Sequence, residues 1–235
     1  MEYVQVDGGL DDGFEMFGGS VNGRYLVCSN MGDDCFDFDQ GYNGKLQFGL
    51  GFQGTNPDLT SDSNGFETDN DSNNNDKQPR TTPQVANFTM VGTPAGTRDG
   101  MRIRRGAGGN YVNMVVTGYT RRCLNLDDAG TFGLGTATAQ GELFTFTNSF
   151  IGGCTGGTFD DAEGDAYPVS GWYAAGAGNE SGDPQLSGFL PTAGSPVLSG
   201  GGVLADGYFQ PTTYRGAFGP NDNWTKDWTV NLPNQ

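Results

Sequence analysis

The chain contains no histidine. That absence removes the commonest general base, every Ser-His-Asp or Cys-His arrangement, and histidine-ligated zinc. Basic residues are scarce: 12 Lys plus Arg stand against 28 Asp plus Glu, a formal net charge of −16. Such a surface repels nucleic acid and anionic membrane, and favours cations and neutral ligands. No apolar run approaches the ~18 residues that a membrane-spanning helix needs. No CxxC pair is present, so a zinc ribbon or thioredoxin-like site has no basis. Long helical stretches are missing too. With 41 Gly and 11 Pro in 235 residues, a helical bundle, a coiled coil and a doubly wound α/β fold are all excluded.

What is present argues against disorder. Sixteen Phe, nine Tyr and three Trp supply the aromatic surface that unfolded chains lack. A loop-rich, all-β chain remains, and it carries an internal repeat. A polar residue and then Gly or Cys precede an apolar-polar-apolar-polar run. The copies are Asp12-Gly13-Phe14-Glu15-Met16-Phe17, Asp34-Cys35-Phe36-Asp37-Phe38-Asp39, Asn64-Gly65-Phe66-Glu67-Thr68-Asp69, Asp99-Gly100-Met101-Arg102-Ile103-Arg104 and Arg122-Cys123-Leu124-Asn125-Leu126-Asp127. Their first apolar residues are 22, 30, 35 and 23 apart, a unit of about 22 residues with insertions in two copies. After each Gly/Asn turn comes a second apolar run: Tyr25–Val27, Leu46–Phe48, Phe88–Val91, Tyr111–Val116 and Leu143–Phe146. Short strands at a fixed period predict a parallel β-solenoid, in which each coil buries its inner face only by stacking on its neighbours. A β-sandwich also has short strands, but it does not require one hexapeptide at a repeated spacing.

Stacking places equivalent residues ~4.8 Å apart. The inward columns are then Phe14/Phe36/Phe66/Met101/Leu124 and Met16/Phe38/Thr68/Ile103/Leu126. The outward columns are Glu15/Asp37/Glu67/Arg102/Asn125 and Phe17/Asp39/Asp69/Arg104/Asp127. Glu15, Asp37, Asp39, Glu67 and Asp69 thus share one face and form the candidate ligand-binding set. Like charges at ~5 Å repel by about 0.8 kcal/mol in bulk water and ~3 kcal/mol at an effective dielectric of about 20. Arg102 and Arg104 are placed to neutralise Glu67 and Asp69, which leaves Glu15, Asp37 and Asp39. A hard cation held by oxygen ligands answers that excess, and Ca²⁺ fits best; Asp37, Asp39, Asp69 and Asp71 are its candidate ligands. The simpler alternative is a solvated ladder that keeps the chain soluble.

Other features are weaker. Asp69-x-Asp71-x-Asn73 is spaced like a calcium loop but lacks the glycine and terminal glutamate of an EF-hand, so a disordered polar insertion is the preferred reading. Cys28, Cys35, Cys123 and Cys154 form an even set suited to two bridges in an oxidising compartment. Three connectivities are open; Cys28–Cys35 and Cys123–Cys154 are nearest in sequence, and four buried free thiols are the alternative. Sequons occur at Asn87, Asn179 and Asn223. Trp172, Tyr173, Trp224 and Trp228 offer sugar-stacking surface, although packing is the stronger expectation for them. Residues 1–150 read as coils. Residues 151–235 read as loop-rich final coils ending in an aromatic segment that caps the open core. The chain opens directly on a strand with no signal peptide, which suggests the C-terminal part of a longer solenoid.

The runs Asp11–Gly19, Tyr25–Val27 and Gly32–Lys45, with the ending Gly216-Ala-Phe218 and Asn223-Trp-Thr-Lys-Asp-Trp-Thr229, resemble a group of secreted bacterial β-helix surface proteins and lipoproteins. The resemblance implies a right-handed parallel β-helix and export, and it brings no catalytic residues. Two functions follow. The first is a non-catalytic extracellular or cell-surface module that binds a glycan or Ca²⁺ or acts in adhesion. The second is a Ca²⁺-dependent polysaccharide lyase or hydrolase of the pectate-lyase-like kind. There Arg102 or Arg104, with Lys45 behind them, would abstract a proton, or Asp37 and Asp39 would serve as acid and base.

Overall fold

A computed structural model describes residues 1–54, 60, 62–94 and 98–233. Strands β1 (Glu2–Asp7), β2 (Phe14–Phe17), β3 (Gly23–Ser29), β4 (Phe36–Asp39), β5 (Lys45–Phe52), β6 (Phe66–Thr68), β7 (Gln84–Val91) and β8 (Met101–Ile103) alternate between two parallel sheets. The long sheet continues through β9 (Gly109–Val112) and β10 (Val115–Thr117), and the short sheet ends with β11 (Leu124–Leu126). A one-turn helix α1 (Ala129–Phe132) and a small antiparallel pair, β12 (Gly135–Thr136) with β13 (Ala139–Gln140), follow. The chain then returns to the long sheet as β14 (Phe144–Thr147) and β15 (Phe150–Ile151), forms helix α2 (Val169–Ala174), and adds β16 (Glu180–Ser181). A last hairpin joins β17 (Leu186–Ser187) to β18 (Leu190–Pro191).

The short sheet, in the order β11-β8-β6-β4-β2, has the register that the repeat predicts. Phe14 pairs with Phe36, Phe36 with Phe66, Phe66 with Met101, and Met101 with Leu124. Phe14, Phe36 and Phe66 stack along this column at 5.1 and 5.0 Å. Phe36 and Phe66 are fully buried, each gaining roughly 2–3 kcal/mol by leaving water. The polar residue heading each repeat also forms a ladder. Asp12 Oδ1 accepts from the Asp34 N–H, Asp34 Oδ1 from Asn64, Asn64 Oδ1 from Asp99, and Asp99 Oδ1 from Arg122. Each side chain satisfies a backbone donor one rung on, which is why an Asx residue recurs at that place.

Disulfides join Cys28 to Cys35 and Cys123 to Cys154. In β5, glycine is a packing requirement. A Cβ on Gly49 would fall 2.1 Å from the Phe88 ring, and one on Gly51 would fall 2.2 Å from Met90 Cε.

Two expectations need correction, and one motif is out of reach. The aromatic C-terminal segment does not cap the end of the core; it runs back over the outer face of the long sheet. Phe189, Ala217, Phe218 and Leu232 pack there on Val27 and Leu50, Phe209 on Ala86 and Val112, and Val197 on Val115 and Phe150. That outer face is itself apolar, so it needs cover more than the end does. The far end of the core is met by α2, whose Trp172 and Tyr173 lie against Phe144 (4.4 Å) and Phe146 (5.5 Å). Nor is the polar insertion at Asp69–Asp76 disordered. Asp71 Oδ1 accepts from Asn73 and Asn74 N–H, Asn70 bonds the Asn75 and Lys77 carbonyls, and Arg80 bonds Asn75 O. Finally, the Asn87 sequon is buried, its amide bonded to Thr212 and Gly216.

Candidate functional site

The solvent face of the short sheet carries Glu15, Asp37, Glu67, Arg102 and Asn125 in register on β2, β4, β6, β8 and β11. Its two halves differ in charge balance. Around β6 and β8, every acid of this face has a basic partner. Arg104 pairs with both Glu67 and Asp69, the latter at 2.7 Å. Arg105 reaches Asp69 Oδ2 at 2.5 Å, and Arg102 lies 3.1 Å from Asp127, 3.5 Å from Asp62 and 3.7 Å from Glu67.

These pairs remove Arg102 and Arg104 as proton abstractors. A base must be neutral, and each guanidinium is committed to two or more carboxylates. For Arg104, burial opposes its charge, but the bond to Asp69 and the charges of Glu67 and Asp69 outweigh it and push its pKa up. Lys45 is on the other sheet, its Nζ 2.6 Å from Asp206 in the covering segment.

Around β2 and β4 there is no such balance. Carboxylate oxygens of Asp12, Glu15 and Asp37 lie within 4.8 Å of one another, as do those of Asp11, Asp12 and Asp33. The two groups share Asp12. Among the described residues, Asp37 Oδ1 is buried with no hydrogen-bond partner. Burial first, and then the charges of Asp12, Glu67, Asp69 and Glu15, push the Asp37 carboxyl up to about 8. Asp12 rises to about 6, burial outweighing its bond from the Asp34 N–H, with Asp33, Glu15 and Asp11 adding repulsion. Glu67 rises to about 7, since burial exceeds the help from Arg104 and Arg102. Burial also raises Asp33, whose carboxylate accepts from the Thr60 hydroxyl.

The predicted ligands therefore separate. Asp37 joins a three-carboxylate cluster. Asp39 is held by the Gln40 N–H at 2.5 Å, and its pKa is raised by burial. Asp69 is taken by two arginines. Asp71 is taken by Lys77 at 2.6 Å, and that bond lowers its pKa. Sequence reasoning did not place Asp11, Asp12 or Asp33 in the candidate set. The available signal was the i, i+3 spacing of Asp12 and Glu15 beside the rung that carries Asp37.

Residues 1–184 match the model of the pectate-lyase-like β-helix domain. The chain belongs to that family. The match takes in both parallel sheets and the whole acidic face, while the covering segment lies beyond it. No curated protein and no solved structure gives a significant match. Among the described residues of the domain, no helix is long and apolar enough to cross a membrane.

Proposed function

We propose that this β-helix domain is an exported, non-catalytic module of the bacterial cell surface that binds Ca²⁺, and through it a glycan, at the acidic end of its short sheet. One observation carries the reading: the buried, unpartnered oxygen of Asp37 inside a group of carboxylates that has no arginine. Asp37, Asp12 and Glu15 are the ligands, with Asp33 and Asp11 beside them. Ca²⁺ takes six to eight oxygens. Three carboxylates leave positions for water and for sugar hydroxyl or carboxylate groups, which makes a glycan a natural second ligand. The reading takes the fold as a right-handed solenoid with a base coil of 22 residues, the offset of Glu2 from Arg24 and of Phe14 from Phe36. Two disulfides support an oxidising compartment. The charge of −16 argues against nucleic-acid partners.

The test is a melting curve in EDTA and then in millimolar CaCl₂. A cation at a hundredfold excess over its dissociation constant adds ~2.7 kcal/mol. At about 2–4 °C per kcal/mol for a chain of this size, that is a rise of roughly 5–11 °C. Asp37→Asn removes the rise. An unchanged melting temperature in wild type rejects the site.

A second reading is favoured by the same carboxyl group. Asp37, still protonated near neutrality, has the form of a general acid, with Asp12 or Glu15 beside it as the base of a polysaccharide hydrolase. The pairing of Arg102 and Arg104 leaves the lyase route without a base. Release of reducing ends from a polysaccharide panel, lost in Asp37→Asn, identifies the hydrolase.

A further inference from the structure

Glycine follows asparagine three times, at Asn22-Gly23, Asn43-Gly44 and Asn64-Gly65. Such a pair can react with itself. The glycine N–H gives its proton to water, and the nitrogen forms a bond to the asparagine Cγ. The Cγ–NH₂ bond breaks, the nitrogen leaves as ammonia with a proton taken back from water, and a five-membered imide remains. Water then opens that ring at either carbonyl, giving aspartate or isoaspartate. Glycine permits the attack because no Cβ shields its nitrogen. Three chemically equal pairs react alike in an unfolded chain, so the fold decides which of them reacts in the native one.

Two of the pairs are restrained. Asn64 is buried, its Oδ1 accepts from the Asp99 N–H, and its Nδ2 donates to Asp62 O at 2.8 Å. The Gly65 N–H is itself committed to Asp99 O at 3.0 Å. Asn22 is exposed, but its Oδ1 accepts from the Lys45 N–H at 2.8 Å, and Gly23 is fixed in β3 opposite Leu46. Reaction at either pair waits for a local opening. Asn43 has neither restraint. It is exposed beside a buried Gly44, and among the described residues nothing bonds the Asn43 side chain or the Gly44 N–H. A buried backbone N–H without an acceptor is rare. Packing demands the glycine: a Cβ on Gly44 would fall 2.2 Å from Val21 O and 2.3 Å from Tyr42 Oη, and the Tyr42 hydroxyl donates to Val21 O at 2.7 Å. A rung is in place on each side. The Asn43 N–H donates to Gly19 O at 2.9 Å, and the Gln84 N–H donates to Gly44 O at 3.0 Å. The open side of Asn43 is therefore the flank of the sheet and not its end.

We propose that Asn43-Gly44 is a self-modifying site, converted without any enzyme into an aspartyl and isoaspartyl mixture while the other two pairs persist. The aspartyl product keeps the backbone and adds one negative charge. The isoaspartyl product carries the main chain through Cβ and Cγ, one methylene longer, between the two rung bonds of Asn43 and Gly44. That longer chain cannot keep both bonds while Gly44 stays seated against Val21 O and the Tyr42 hydroxyl. The next residue is Lys45, whose Nζ holds Asp206 of the covering segment at 2.6 Å, so the change falls where a coil is tied to its cover. The site needs no cation and rests on no part of the Ca²⁺ reading.

The experiment ages the full wild-type chain at pH 8, folded in buffer and unfolded in urea, and follows each pair by peptide mass spectrometry. In urea the three pairs are expected to react within about threefold of one another. In the folded protein Asn43 is expected to react at least tenfold faster than Asn64 and at least threefold faster than Asn22, and within tenfold of its own rate in urea. Because every comparison is made on wild type, no variant has to fold. Chromatography then separates the two products. Losing one rung bond corresponds to about 2–4 °C for a chain of this size, so isoaspartyl-43 protein is expected to melt that far below aspartyl-43 protein. The inference is overturned if Asn43 in the folded chain reacts no faster than Asn22 or Asn64, or more than tenfold slower than in urea. It is also overturned if the two products melt together.

Discussion

Replacing Asp37 by Asn should stabilise the cation-free protein, an unusual direction for a buried polar substitution. The Asp37 carboxyl moves from an ordinary value of 3.8 to about 8 in the fold, because burial and four acidic neighbours disfavour its charge and no donor reaches Oδ1. A folded-state pKa above the unfolded one means that the native state holds a proton the unfolded state has released. Its favourable contribution is complete below the unfolded value and is lost as pH rises from about 4 through about 8. At ~1.4 kcal/mol per unit, the full difference is an upper bound of roughly 6 kcal/mol. Asp12 and Glu67 titrate in the same range, so the protons are shared, and on the order of 2 kcal/mol is the expected cost at pH 7.5. Asn carries no charge and brings two donors to Asp12 and Glu15. In EDTA, Asp37→Asn should therefore melt about 4–8 °C above wild type at pH 7.5 and level with it at pH 4. Scanning calorimetry from pH 4 to 9 reads both. A variant no more stable at pH 7.5, or equally stabilised at pH 4, refutes the argument.

Other substitutions test the frame that holds the site. Asn64→Ala leaves the buried Asp99 N–H without its acceptor, and should cost about 2–3 kcal/mol in urea denaturation with an unchanged m-value. A loss below about 0.5 kcal/mol would show that the Asx ladder is incidental. The Cys123–Cys154 bridge spans 31 residues and the Cys28–Cys35 bridge spans 7, so chain entropy assigns them ~4 and ~2 kcal/mol. Paired Cys→Ala variants should fall in that order, and the reverse order in urea midpoints would contradict it.

The short sheet was legible in the sequence residue by residue, and the reason is geometric. Its strands are buried on one face, as in β4, where Phe36 and Phe38 are buried and Asp37 and Asp39 are partly exposed, so alternation writes the register directly. The long sheet was legible only in outline. In β3, Leu26, Val27, Cys28 and Ser29 are all buried, the continuous pattern of a strand covered on both faces. That run was itself the sign that something lies over the outer face, and it spoke against using the aromatic end as a cap. Helix α2 was hidden behind Pro168, which serves as its N-cap, in a stretch whose glycines read as loop. The left-handed backbone of Tyr3, Tyr25 and Phe48, with φ of 54°, 55° and 59°, was not legible at all, since these are residues that local preference keeps out of that conformation.

The acidic face was read half correctly, and the half that failed is instructive. Pairing arguments follow strand register, so the arginines of β8 were matched to Glu67 and Asp69 from numbering alone. Asp12 is outside its strand: it heads the repeat, and its position beside Glu15 and Asp37 depends on a turn whose backbone is fixed by the Asx ladder. One carboxyl group thus does two jobs, accepting the Asp34 N–H and facing the rung's solvent side. The same ladder position is held by Asn64 at β6, beside Arg102 and Arg104, and by Asp12 and Asp34 where no arginine follows. Along one face of one sheet, then, the fold balances its own charge over β6 and β8 and leaves it unbalanced over β2 and β4. A proton can fill that deficit at Asp37 below about pH 8; above it, only an external cation can.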